Sequence, residues 1–161
     1  MPLKANSKAP DFVLKTSENT EFSLFQALEK TPVILFFYPK NFTTVCTQEV
    51  CAFRDDFTFF QERKIQVVGV SADSVASHER FSSKHQLPYI LISDSDRKVA
   101  RLYDALYPFE LLARRVTYLI DQNRKIVSVF NSLAMAQTHI EDLKDKIRKM
   151  EIGGQLGRPK E

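Results

Sequence analysis

Tyr38-Pro39-Lys40-Asn41-Phe42-Thr43-Thr44-Val45-Cys46-Thr47-Gln48-Glu49-Val50-Cys51 decides the reading of this chain. It follows an unbroken apolar run, Val33-Ile34-Leu35-Phe36-Phe37, the pattern of a strand covered on both faces. Val50, Phe53, Phe57 and Phe60 then recur at spacings of three, four and three, which is one face of a helix. The chain therefore passes from a buried strand into a helix, with Cys46 in its first turn. Backbone N–H groups are unpaired there and the positive end of the helix dipole lies beside the sulfur. Such a setting lowers a thiol's pKa, and the thiolate is the nucleophile. Four residues back from Val50 puts Cys46 on the apolar face, at the foot of the core. Cys51 falls on the opposite side, with Gln48, Asp55, Thr58 and Glu62, although Phe59 interrupts that polar face.

Five residues of helix give about 7.5 Å of rise and about 140° of rotation, so the two Cα atoms stand roughly 8–9 Å apart. A disulfide needs them within about 7 Å. Pairing would require the helix start to unwind, and the spacing is not the C-x-x-C of a thioredoxin redox centre. By spacing alone the pair reads equally well as two unrelated cysteines in a reducing compartment.

The rest of the chain narrows the class. Its 161 residues suffice for one domain with a proper core. Apolar residues make up 43% and charged residues 27%, so a soluble globular chain is expected. The net charge of +3, from 23 basic and 20 acidic residues, is too balanced to argue for nucleic acid. Two cysteines form no disulfide framework. The opening Met1 to Lys8 carries no apolar signal region and no run reaches a membrane span, so a cytoplasmic location and no membrane role are expected. Of four glycines only Gly69 lies in the body, which argues against a glycine-rich phosphate loop. His78, His85 and His139 show no ligand spacing with either cysteine; solvated positions and no metal are expected.

Working outward, Ala9 to Leu14 reads as a short opening strand, Glu21 to Leu24 as another, and Phe25 to Lys30 as a helical turn. Ile65 to Ser71 is a second buried strand, followed by the capping run Ser71-Ala72-Asp73-Ser74 and a helix to about His85. Tyr89 to Ile92, a short helix from Arg97 to Tyr103, and a hairpin of Val116 to Ile120 with Ile126 to Phe130 come next. A closing helix carries Ile140, Leu143, Ile147 and Met150. This order predicts an α/β fold, a thioredoxin-like sandwich whose central mixed sheet is flanked by helices. One domain over 1–152 is expected, with a disordered tail over 153–161. If Val33 to Phe37 and Val116 to Ile120 are antiparallel neighbours, Cys46 and Arg115 share one edge of the sheet.

The body of the chain resembles the peroxiredoxins, in the subgroup called peroxiredoxin Q or bacterioferritin comigratory protein. The resemblance rests on Pro39-x-x-x-Thr43-x-x-Cys46, the lead-in Phe37 to Lys40, Glu49, Cys51, and Phe53-Arg54-Asp55. Ala9 to Phe12, Ser71-x-Asp73-Ser74 and Arg115 to Asp121 extend it. It implies a thiol peroxidase for hydrogen peroxide and organic hydroperoxides, with Cys46 peroxidatic and Cys51 resolving, and with Thr43 and Arg115 completing the catalytic set. Pro39, Tyr38 and Glu49 support the pocket; Glu49 is a candidate for orienting Arg115. It further implies an intramolecular Cys46–Cys51 disulfide recycled by thioredoxin, with glutaredoxin or glutathione also competent, no cofactor, and a monomer or weak homodimer.

The sequence departs from the subgroup in three places. Thr44 stands where proline is usual, Arg124 replaces a common turn glycine, and Leu106 to Ala113 is short and apolar. An apolar rim built by that segment would favour organic hydroperoxides, which equal efficiency on both peroxide classes would disprove. A disulfide exchanger on this fold would want C-x-x-C and a proline where Arg114-Arg115 stand. A redox-inert module would have no use for Thr43, Cys46 and Arg115 together.

Overall fold

The computed structural model describes residues 2–106, 113–131 and 136–153. Strands β1 (Val13–Thr16), β2 (Glu21–Ser23), β3 (Val33–Phe37), β4 (Gln66–Ser71), β5 (Ile90–Ser93), β6 (Val116–Ile120) and β7 (Ile126–Asn131) form one sheet in the order β2-β1-β5-β4-β3-β6-β7. The β3–β4 and β4–β5 pairs are parallel, while β6 lies antiparallel between β3 and β7. Helices α1 (Leu24–Leu28), α2 (Thr44–Asp55), α3 (Phe57–Glu62), α4 (Val75–His85), α5 (Lys98–Leu102) and α6 (Ala136–Gly153) are the other elements of the described residues.

Strand alternation divides the core in two. Val33, Leu35 and Phe37 of β3 face one cluster, with Val68, Val70, Tyr103 and Tyr118. Ile34, Phe36 and Tyr38 face the other, with Cys46, Val50 and Phe53 of α2 and Ile140, Leu143 and Ile147 of α6. The expected face of α2 is thus realised, and it packs Cys46 against the sheet. Gly69, opposite Phe36 in register, makes room for this layer: a Cβ there would come within 2.7 Å of Phe36 Cζ and Leu91 Cδ2. The space lets the Phe36 ring stack on Phe53 with centroids 4.4 Å apart.

Three expectations are corrected. The apolar period from Val50 to Phe60 belongs to two helices, because Asp56 (φ −101°, ψ 13°) interrupts the ladder between α2 and α3. Phe59, the break in the polar face, is half-buried because cations cover it. The Arg63 guanidinium lies 3.6 Å from its ring centre, and Lys144 and Arg148 of α6 lie at 5.3 and 5.1 Å. His78, expected in solvent, is fully buried. His85 is half-buried with its ring 4.8 Å from Phe81, and the His139 side chain lies outside the described residues. Helix α6 runs through Gly153; the rest of the expected tail lies outside the described residues.

Arg124 replaces the usual turn glycine and keeps its conformation, with φ 67°. A left-handed residue with a Cβ costs roughly 1–2 kcal/mol. Its guanidinium stacks 4.0 Å from the Phe25 ring centre, a contact glycine cannot make.

Candidate active site

The site begins where β3 ends. Tyr38 continues the strand by one bond, its N–H donating to Val70 O at 3.0 Å. Its ring is fully buried and its hydroxyl donates to Asn41 Oδ1 at 2.6 Å. Pro39 is half-buried and cannot prolong the ladder, since it lacks an N–H. Phe42 takes a left-handed turn (φ 65°). Thr43 follows in extended geometry as the residue before α2. Its carbonyl accepts the Thr47 N–H at 2.9 Å, which opens the helix. Its side chain does not cap α2; the hydroxyl donates to Lys40 O at 3.0 Å instead. The oxygen's lone pairs are left able to accept a proton from another molecule.

Cys46 is the third residue of α2, fully buried on its core face. Its N–H is among those that a helix leaves unpaired at its start. Arg115 arrives from the neighbouring strand. The register Phe37↔Val116 sets the two chain segments side by side, and Arg115 Nη2 donates to Cys46 Sγ at 3.2 Å. The antiparallel pairing expected from sequence therefore brings these distant residues together. The helix start and the guanidinium both bring positive charge beside the sulfur.

Glu49, one turn after Cys46, faces the same arginine. Its Oε2 lies 3.8 Å from Arg115 Nη1, a charge contact too long for a hydrogen bond. Glu49 Oε1 and Arg115 Nη1 are buried without a hydrogen-bond partner among the described residues. Burial pushes the Glu49 carboxyl from 4.5 up to about 7, against the opposing pull of Arg115. The folded protein thus keeps this proton up to about pH 7, whereas an exposed carboxyl loses it near 4.5. Raising pH through that window favours the unfolded chain. From pH 5 to 8, Glu49 is expected to remove on the order of 2–3 kcal/mol of stability. Denaturant unfolding of wild type and Glu49→Gln at both pH values measures it; equal losses in the two proteins would show that Glu49 does not titrate this way.

Cys51 stands apart from Cys46, half-buried in the same unbroken helix, and both thiols are free. Burial pushes the Cys51 thiol up, while the Arg54 charge pulls it down. The surrounding turn is tied to the rest of the protein. The Tyr89 hydroxyl donates to Val50 O at 2.5 Å, and Arg54 Nη1 donates to His85 O at 2.9 Å.

Sequence reasoning missed the layer beneath the loop. Asn41 is buried, with its side chain committed to Tyr38, Ser77 and His78. The exposed apolar residues flanking the cysteine are Phe42 (49%) and Val45 (47%). Leu106 and Ala113, expected at an apolar rim, are instead buried and bridged to each other. Residues 107–112 lie outside the described residues. Among the described residues no His, Cys, Asp and Glu side chains gather as a metal site.

A sheet of this order, with a cysteine at a helix start facing an arginine from the adjoining strand, defines a thioredoxin-fold thiol protein. The chain belongs to the AhpC/TSA family, which matches residues 5–129, and within it to the peroxiredoxin Q and bacterioferritin comigratory protein group. Chloroplastic peroxiredoxin Q of Gentiana triflora is 35% identical over 137 residues, covering 84% of this chain and 63% of its own length. The chain thus spans less than two thirds of that relative. The peroxidoxin BcpB of Mycobacterium tuberculosis is 31% identical and superposes with a TM-score of 0.86, covering 92% of this chain and 98% of its own. A Xanthomonas campestris bacterioferritin comigratory protein, described for alkyl peroxide reduction activity, is 26% identical with a TM-score of 0.81, covering 91% of this chain and 98% of its own.

Proposed function

We propose that the chain is a thiol-dependent peroxidase that reduces hydrogen peroxide and organic hydroperoxides through Cys46. The observation that carries this is the Arg115 guanidinium 3.2 Å from the Cys46 sulfur at a helix start. An anionic sulfur attacks one peroxide oxygen in line, and the O–O bond breaks. The electron pair leaves on the other oxygen, which takes up a proton as water or an alcohol, and the sulfur becomes a sulfenic acid. Arg115, with Nη1 uncommitted to a hydrogen bond among the described residues, offers donors to both the sulfur and the departing oxygen. The Thr43 hydroxyl serves as acceptor for the peroxide proton. Pro39 and Tyr38 hold the approach to the sulfur, and Glu49 steers Arg115.

Cys51 resolves the sulfenic acid in this reading. The intact helix keeps the two sulfurs apart. The turns before Val50 must unwind to bring Cys46 back, and Tyr89 and Arg54 hold the turn that carries Cys51. The Cys51 sulfur then displaces water from the sulfenic acid, and a dithiol reduces the disulfide. Thioredoxin is the reductant proposed, in a reducing compartment such as the cytoplasm.

The test is a pair of measurements. Peroxide-treated wild type should show an intrachain Cys46–Cys51 link by non-reducing mass spectrometry. Cys51→Ser should consume one equivalent of peroxide per chain and stall as the sulfenic acid, or consume a second and stop as the sulfinic acid. Normal cycling of that variant with thioredoxin would remove Cys51 from the resolving role. A wild type that leaves peroxide unconsumed would remove the activity itself.

A further inference from the structure

We propose that Asn41 is a positioning residue for the peroxide step: keyed into a buried polar cluster beneath the loop, it fixes the turn that aims Thr43 and the first N–H groups of α2 at the oxidant. The proposal rests on the peroxidase reading and deepens it.

The loop from Pro39 to Thr43 has no ladder or helix to hold it. Asparagine in such a place ordinarily makes short-range turn bonds on the surface. Asn41 is instead 2% exposed, and apart from Tyr38 its partners lie in the segment that follows β4. Its N–H donates to Asp73 Oδ2 at 2.9 Å. Its side-chain Nδ2 donates to Ser77 Oγ at 3.1 Å and to His78 Nδ1 at 3.0 Å. Its Oδ1 accepts the Tyr38 hydroxyl. Both ends of the amide are thereby used. Asp73 is itself fixed, since Ser71 Oγ donates to the same Oδ2 at 2.6 Å. Accepting at Nδ1 requires His78 to be neutral with its proton on Nε2, and burial of the ring favours that form. Ser71 Oγ lies 3.4 Å from Nε2. The cluster therefore holds the amide from three sides.

The next residue shows what this anchoring holds. Phe42 sits in the left-handed region, and its ring meets Phe81 edge-on at 4.9 Å. Such a conformation in a bulky residue persists where its surroundings dictate it. One residue further on, Thr43 directs its hydroxyl and opens α2. A shift at Asn41 would be carried directly into both. Peroxide cleavage needs its donors and acceptor placed to a fraction of an ångström, whereas simple alkylation of a thiolate needs only the anion and access. Asn41 acts on the former. Arg115, which touches the sulfur, acts on both.

The experiment compares Asn41→Ala and Asn41→Asp with wild type in full-length reduced protein. The aspartate variant keeps an acceptor for Tyr38 and loses both side-chain donors. Stopped flow gives the rate constant for oxidation of Cys46 by hydrogen peroxide, and iodoacetamide labelling gives the alkylation rate of the same sulfur. The expected result is a loss of about tenfold to a hundredfold in oxidation, with alkylation changed by less than about twofold. Two results overturn the proposal: oxidation unaltered in both variants, or oxidation and alkylation falling together. Should the alanine variant fail to fold, the aspartate variant decides by the same criteria. Wild type that is inert to peroxide removes the peroxidase reading and this role with it; active wild type with indifferent variants removes this role alone.

Discussion

Cys46→Ser protein is expected to consume peroxide no faster than solution without protein, a loss of at least about a thousandfold against wild type. The chemistry requires an anion that attacks oxygen. A serine hydroxyl at this position has the same helix start and the same arginine but remains protonated at neutral pH, and no base is placed to take its proton. Glu49, a carboxyl one helical turn away, faces Arg115. The substitution changes one buried atom, so the fold should persist with a cost on the order of 1–2 kcal/mol for the new hydroxyl. Far-UV circular dichroism and a melting curve establish that. Peroxide loss with dithiothreitol or thioredoxin as reductant then gives the rate. Residual turnover above about one hundredth of wild type would place the chemistry on another group, and Cys51 is the one to test next.

Legibility in this sequence followed periodicity. The unbroken run of β3 and the four-residue step from Cys46 to Val50 are enough to place the sulfur in the core. The hairpin of β6 and β7 puts Arg115 beside it on the condition that β6 pairs antiparallel with β3, which it does. Both are regular patterns: strands buried on both faces leave unbroken apolar runs, and a helix with one packed face leaves a period. Asp56 escaped because Val50, Phe53 and Phe60 keep helical spacing across the break between α2 and α3. The local dihedral change leaves the hydrophobic face nearly continuous.

The polar layer was invisible for a different reason. Asn41 reads locally as a turn residue, and its partners Asp73, Ser77 and His78 lie 32 to 37 positions away. Nothing in the loop announces them. His78 does leave a signal: it lies three residues before Phe81, and these two are the buried residues of α4. A histidine on an apolar face, three residues from a buried phenylalanine, is a candidate for a satisfied core position. Glu49 was legible as a neighbour of Cys46 but not as a buried carboxyl, because its burial depends on the arginine delivered by a strand 66 residues further along.

Arg115→Met is expected to lower the rate of Cys46 oxidation by about 10²–10³-fold, the cost of removing a fixed donor from a developing anion. Two effects combine. The sulfur loses the Nη2 donor at 3.2 Å, and the departing oxygen loses the charge that receives it. Glu49 loses the one charge that opposes its burial, so its carboxyl should hold its proton to still higher pH. Unlike the Asn41 variants, this protein should also alkylate slowly, because the arginine acts on the sulfur itself. Arg115→Lys restores a charge but not the planar fork that can serve two acceptors at once. It should recover part of the loss, remaining about tenfold below wild type. Stopped-flow oxidation and iodoacetamide labelling of the three proteins at one pH separate these effects. If methionine left oxidation within about threefold of wild type, the guanidinium would be a bystander. The negative charge on the sulfur would then have to be held by the start of α2 alone, where a helix terminus contributes roughly 0.3–1 kcal/mol, up to about 2 in partly buried geometries. At 1.36 kcal/mol per factor of ten, that falls short of the hundredfold or more assigned to the arginine.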